Sequence, residues 1–245
     1  MVSFLESDNG RIAYNKTIGE GIGVVFLSGF KSDMEGTKAL FLQEWAKANG
    51  RPYLRFDYTG HGQSSGEFMD GCIGDWANDA MVAIKSLTEG PQILVGSSMG
   101  GWIALLVARE IPEKIAGLVG IAAAPDFTED SMWANFNTEQ RDMINKNGQI
   151  DLPSEYSDEP YVITRKLIED GRSQLVLHSQ LNLPFPVRLL QGTEDVDVDQ
   201  SVALRLLDHV FCDNIHLTLV KGADHSFSSP DCLRMIETAI EEAFS

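Results

Sequence analysis

The chain is short of cations. Its 19 lysines and arginines face 36 aspartates and glutamates, a formal net charge of −17. A surface that acidic repels phosphate backbones and anionic lipid, which sets aside nucleic acid and a basic membrane-binding patch. Solubility or a salty habitat explains such a charge more simply than a cationic partner does. Cysteine is scarce as well. Cys72, Cys212 and Cys232 are odd in number, far apart and without a C-x-x-C pair, so neither a disulfide framework nor a zinc site is indicated. No stretch approaches the roughly 18 apolar residues of a membrane span. The opening MVSFLESDNG has neither a basic nor an apolar targeting region. A soluble, cytoplasmic protein is expected. No Pro/Gly/Ser-rich linker or charge block divides the chain, so residues 1–245 are expected to form a single domain.

What is present fits that class. Hydrophobic residues make up 43% of the chain and charged residues 22%, ordinary for a globular protein with a sizeable core. Residues 3–7 and 11–17 flank Asp8-Asn9-Gly10, a hairpin signal. Residues 23–27, GVVFL, form a continuous apolar run of the kind found in a sheet covered on both faces. Residues 37–48 follow as a helix with Phe41, Trp45 and Ala48 on one face. A strand at 53–57 leads into a Gly-rich turn. Helical spacing over 73–87 places Trp76, Ala80, Ala83, Ile84 and Leu87 on the core side. Apolar strands recur at 93–95, 115–121, 187–190 and 215–220, with helices after 98, over 202–210 and from Ser229-Pro230 onward. Such alternation implies a mostly parallel, doubly wound α/β sheet. Residues 125–184 interrupt it with a polar stretch carrying short helical patterns at 139–147 and 161–172, expected to be a helical cap inserted over the site.

Chemistry concentrates where strands end. Residues 91–108, PQILVGSSMGGWIALLVA, read as a buried strand, a sharp turn and an apolar helix, and Gly96-Ser97-Ser98-Met99-Gly100 matches G-x-S-x-G. In that pattern the central serine sits on a strained strand-to-helix turn with its hydroxyl exposed. Ser97 and Gly101 serve as small residues that let backbones approach. A serine hydroxyl needs a base, and the base needs an orienting group. Of five histidines, His225 alone occupies a polar turn after a strand. His61, His178, His209 and His216 read as satisfied or surface side chains. After the strand at 187–190, Asp195 is the candidate carboxylate, with Glu194, Asp197 and Asp199 as solvated neighbours. A calcium loop starting at Asp195 would need Gly at 200 and Glu at 206. The chain has Gln200 and Leu206, so calcium fails. Developing negative charge on a carbonyl oxygen calls for main-chain donors, here the amides of Met99 and Phe30. Losing one such donor typically costs about 3 kcal/mol.

These segments resemble the α/β-hydrolase superfamily along the whole chain, through GVVFLSGF, FDYTGHGQSSG, VGSSMGGW, LLQGTED and ADH. GTKA, GPQILVGSSMGGW, IPEK, LPSEYSDE and RLLQG look like its palmitoyl-protein thioesterase branch. The resemblance implies an α/β-hydrolase fold, the order Ser98, Asp195, His225 for the catalytic triad, and Phe30 and Met99 at the oxyanion positions. Many relatives carry His-Gly where this chain has Ser28-Gly29.

The expected activity is hydrolysis of a carboxylic ester or thioester through an acyl-enzyme, with no cofactor and no metal. The substrate is a small acyl compound or an acylated protein. Met132, Trp133, Phe136 and Tyr161 in the cap are candidates for lining the acyl pocket. Cleavage of a C–C bond by the same triad and a non-catalytic binding role on the same fold are the alternatives.

Overall fold

Strand β1 (Ser3–Ser7) turns into β2 (Gly10–Thr17), followed by β3 (Gly23–Leu27), α1 (Thr37–Ala48), β4 (Tyr53–Phe56), α2 (Ile73–Leu87) and β5 (Gln92–Ser97). Helix α3 (Met99–Glu110) and β6 (Ile115–Ile121) complete the first half. Then come α4 (Thr138–Asn147), β7 (Gln149–Leu152), β8 (Tyr161–Thr164), α5 (Arg165–Ser173) and β9 (Leu181–Asn182). The chain closes with β10 (Val187–Gly192), α6 (Gln200–His209), β11 (Val210–Phe211), β12 (Ile215–Val220) and α7 (Pro230–Ala243). The computed structural model describes residues 2–152 and 161–244. Most of the LPSEYSDE segment therefore lies outside the described residues.

Eight strands form one sheet in the order β1-β2-β4-β3-β5-β6-β10-β12. The β1/β2 and β2/β4 pairs are antiparallel, and every later pair is parallel. This is the α/β-hydrolase architecture expected from the sequence. Because side chains alternate along a strand, GVVFL serves two cores at once. Val25 and Leu27 join α2 and α3 on one face, while Val24 and Phe26 join α1 and α7 on the other. Burial on both faces is why the run shows no polar alternation.

Three expectations need correction. On α1 the buried stripe is Ala39, Leu42, Trp45 and Ala46, while Phe41 is half-buried and Ala48 exposed. The stripe follows i, i+3, i+4 spacing from Ala39, one step round from the expected face. The cap is not purely helical, because Tyr161–Thr164 is a strand that pairs antiparallel with Gln149–Leu152. Val162, Ile163 and Thr164 are β-branched, and the Thr164 side chain then accepts from Leu167 N–H to start α5. The third concerns His61 and is taken up with the site. Among the described residues, no helix is long and apolar enough to cross a membrane.

Candidate active site

The parallel strands all release their chains at one edge of the sheet, so β3, β5, β6, β10 and β12 deliver their following loops to one place. The turn after β5 is the tightest of them. Ser98 takes φ 54° and ψ −120°, a conformation that costs a side-chain-bearing residue on the order of 1–3 kcal/mol. Three backbone hydrogen bonds hold it there. Its N–H donates to Ile121 O at 2.9 Å, and its carbonyl accepts from Gly101 N at 2.9 Å and Ala124 N at 3.1 Å. The flanking glycines are required by close approach: a Cβ on Gly96 would lie 2.3 Å from Gly100 O, and one on Gly100 would lie 2.0 Å from Leu27 O. That crowding is the physical content of the G-x-S-x-G spacing.

The loops after β10 and β12 meet this serine. His225 Nε2 is 3.1 Å from Ser98 Oγ, and His225 Nδ1 is 3.0 and 2.9 Å from the two carboxylate oxygens of Asp195. A carboxylate facing Nδ1 fixes the proton on that nitrogen and leaves Nε2 free to accept from the serine hydroxyl. The Asp195 side chain is fully buried, that of His225 partly exposed. Burial pushes the Asp195 carboxyl up, but hydrogen bonds from His225, Val198 and Gln191 and the charge of His225 outweigh it. The net result is a value below the usual carboxylate range. Asp195 therefore stays ionised at neutral pH.

One residue outside the sequence-based candidates belongs to this arrangement. Gln191, wholly buried near the end of β10, donates its Nε2 to Asp195 Oδ2 at 2.9 Å and to Val198 O at 3.0 Å. Asp195 Oδ1 accepts from Asp197 N and Val198 N at 3.0 and 2.8 Å. The carboxylate is thus oriented from both sides, and RLLQG was its only trace in the sequence.

Ser98, Met99, Phe30 and His225 all face one cavity of about 560 Å³. Met99 is the first residue of α3, so its N–H has no acceptor within the helix. The loop carrying Phe30 passes over the serine: a Cβ on Gly29 would lie 3.4 Å from Ser98 Cβ. Phe127, Met132, Leu152, Tyr161 and Ile163 make one apolar wall. Of the four acyl-pocket candidates, Met132 and Tyr161 lie on this wall. Trp133 and Phe136 are not on the cavity wall. Trp133 instead takes the guanidinium groups of Arg172 and Arg141 over its ring, at 4.6 and 5.4 Å, and Phe136 packs beside it in the core. The wide π-helical turn over Thr128–Trp133 sends successive residues in directions that 3.6-residue periodicity does not give. Phe127, directly after Pro125-Asp126, was the readable residue that went unnamed. On the opposite side, Lys38 reaches Ser226 O at 2.5 Å, and burial lowers its ammonium pKa against the opposing charge of Asp224.

Two groups of described residues could each gather ligand atoms for a cation: Asp195, Asp197 and His225, and separately Asp126, Asp130 and His178. Their atoms already have partners. Those of Asp195 and His225 are spent on each other, Asp126 accepts from Val176 N and Leu177 N, and Asp130 accepts from Arg205.

The remaining histidines sit away from the serine. His178 pairs with Asp130, His209 bonds to the Val176 and Ser179 carbonyls, and His216 lies on β12. His61 is neither on the surface nor fully satisfied. It is 4% exposed among Tyr58, Phe68 and Trp76, its Nδ1 is 3.3 Å from Thr59 O, and its Nε2 has no partner among the described residues. Burial pushes its imidazole down to about 4, against the smaller opposing effects of the Thr59 carbonyl and Asp33. A folded value below the unfolded one means the unfolded chain binds the extra proton. Protonation of His61 therefore leaves stability unchanged above about pH 6.5 and lowers it progressively between there and about pH 4. At pH 5 the loss is on the order of 2 kcal/mol. Urea unfolding at pH 7 and pH 5 checks this: His61→Gln should lose clearly less stability across that interval than the parent, and equal losses would refute it.

A protein-family comparison matches residues 22–171 to the family described as serine aminopeptidase, S33. The palmitoyl-protein thioesterase ABHD10 of Bos taurus, named as mitochondrial, is 35% identical over 246 residues, spanning 98% of this chain and 79% of that protein. A crystal structure of an Agrobacterium vitis S4 protein superposes with TM-score 0.96 at 36% identity, covering 100% of this chain and 99% of the other. Alpha/beta hydrolase domain-containing protein 10 from mouse gives 0.92 at 33% identity, covering 99% and 97%. With its sheet order, its strained serine turn and relatives alike over nearly the full length, the chain belongs to the serine aminopeptidase S33 family of α/β hydrolases and is a hydrolase enzyme.

Proposed function

We propose that the chain hydrolyses carboxylic esters or thioesters of apolar acyl groups through a covalent acyl-enzyme. The observation that carries this is the continuous line of hydrogen bonds from Ser98 Oγ through His225 to Asp195, opening on the cavity. Ser98 Oγ attacks the acyl carbonyl carbon while His225 Nε2 takes its proton. The oxygen that becomes negative points at the main-chain N–H groups of Phe30 and Met99, the latter at the positive end of α3. His225 then returns the proton to the departing alcohol or thiol. Water, activated by the same nitrogen, releases the acid and restores Ser98.

The acyl chain lies along Phe127, Met132, Leu152, Tyr161 and Ile163, and the leaving group toward Lys38, Ser226 and Ser228. Residues 125–184 act as a cap within one domain. An acylated protein is among the substrates we infer, in keeping with the name of the ABHD10 relatives. The three cysteines are all unpaired, which fits a reducing compartment, by our reading the cytoplasm.

The test is a series of p-nitrophenyl esters and matching acyl thioesters of increasing chain length. Release above an enzyme-free blank, rising with chain length until the cavity is filled, is expected. No release from any member would end the proposal.

A further inference from the structure

Phe30 is placed by the sequence as an amide donor, but its ring occupies the middle of an aromatic cluster joining the sheet domain to residues 125–184. Phe68, in the short helical turn Phe68–Asp70, meets it edge-on at 4.9 Å between centroids. Trp76 of α2 stands at 6.1 Å, Phe127 at 5.8 Å and Tyr161 of β8 at 6.1 Å. Phe68 is itself stacked on Trp76 at 5.6 Å, and the Trp76 indole N–H is anchored on Thr59 O at 3.1 Å.

The next residue adds a second hold. Ser32 N–H donates to Gly29 O at 3.1 Å, closing a turn with Phe30 and Lys31 at its centre. Lys31 has φ 55°, where glycine is the favoured occupant. Its ammonium lies 5.4 Å from the centroid of Phe68 and 4.9 Å from that of Tyr161. A non-glycine residue kept in a left-handed conformation calls for a compensating contact. Here its charge spans the two rings that flank Phe30. Further along the loop, Met34 is fixed at both backbone groups, its N–H by Asp57 Oδ1 and its carbonyl by Arg55, each at 2.7 Å.

We infer that Phe68 and Lys31 are positioning residues for the oxyanion-stabilising amide, holding Phe30 by its ring so that its N–H stands where the carbonyl oxygen becomes negative. The inference rests on the ester or thioester hydrolysis proposed above. Phe68 does not line the cavity, so substrate contact does not account for an effect on turnover. The Gly29–Phe30 peptide is tied at its carbonyl by Ser32 N–H, and the packing of the Phe30 ring sets the remaining freedom of its N–H. Displacing it by a fraction of an ångström weakens the transition state and leaves ground-state binding alone.

The experiment measures kcat and KM for a short and a long p-nitrophenyl ester, the rate of fluorophosphonate labelling, and the melting temperature of the full chain. The variants are Phe68→Leu, Phe68→Tyr and Lys31→Gly. Phe68→Leu is expected to lower kcat and labelling by about tenfold, with KM within about twofold for both esters. Phe68→Tyr, which keeps the ring, should restore both. Lys31→Gly relieves the backbone and should melt no lower than the parent, yet lose several-fold in kcat with KM within about twofold; because Lys31 also lines the cavity, a rise in KM would mark a lost substrate contact instead. Unchanged kcat in folded Phe68→Leu, or a rise in KM alone, overturns the inference. If Phe68→Leu does not fold, Lys31→Gly decides by the same criterion. A parent protein that neither turns over esters nor labels at Ser98 removes the proposed function and this inference with it. An active parent with indifferent variants removes the inference alone.

Discussion

Ser98→Ala is expected to lower kcat for a p-nitrophenyl ester on the order of 10⁶-fold while leaving the fold intact. The size follows from what the proposed mechanism loses: among the described residues no other hydroxyl bonds to His225 Nε2, so none of them replaces Ser98 as nucleophile. On the proposed mechanism, what remains is water attack assisted by the amides of Phe30 and Met99. Alanine also relaxes nothing, because residue 98 keeps φ 54° whatever its side chain. The variant should therefore melt within a few degrees of the parent, and circular dichroism should not distinguish the two. Initial rates at saturating ester, with active sites counted by fluorophosphonate labelling of the parent, check the expectation. Residual activity above about one hundredth of the parent would take the nucleophile role away from Ser98.

The second large effect is expected from Asp195→Asn, about 10⁴-fold in kcat with KM little altered. The geometry states why. Asp195 presents one oxygen to Asp197 N and Val198 N, the other to Gln191 Nε2, and both to His225 Nδ1. An asparagine has one oxygen and one NH₂. If the oxygen serves Val198, the NH₂ faces both the Gln191 donor and Nδ1, and the imidazole moves its proton to Nε2. A protonated Nε2 cannot accept from Ser98. The substitution also leaves buried donors opposed, so a loss of about 1–3 kcal/mol in stability should accompany it. Steady-state kinetics and a denaturant melt measure the two effects separately. A variant that keeps a tenth of the parent kcat would show that the carboxylate does not orient His225.

How much of this was readable in advance depends on how local each feature is. The serine turn was readable because an apolar strand, small residues and an apolar helix follow one another within residues 91–108. The approach of Asp195 and His225 was readable from their place at strand ends, since parallel strands deliver their loops to one edge. The lining of the cavity was readable only in part, two of its four candidates lying on the wall. Met132 and Trp133 are adjacent and equally apolar, and only the π-helical turn over Thr128–Trp133 decides which of them turns inward. Tyr161–Thr164 reads as helix in isolation. It becomes a strand because Gln149–Leu152, across a stretch of chain, offers it hydrogen bonds. Gln191 escaped notice and His61 reads as a satisfied or surface side chain for a related reason: a buried amide behind a carboxylate and an imidazole among rings are matters of tertiary packing.

The three bonds that fix the Ser98 peptide all end on residues 96–124 of the sheet half, and none reaches into 125–184. Descent with modification could therefore shorten, lengthen or replace that segment, the part proposed to select substrate, while the Ser98 turn is inherited unaltered. The ring of Phe30 is tethered to both sides, and a borrowed segment would have to bring its own counterpart to Tyr161.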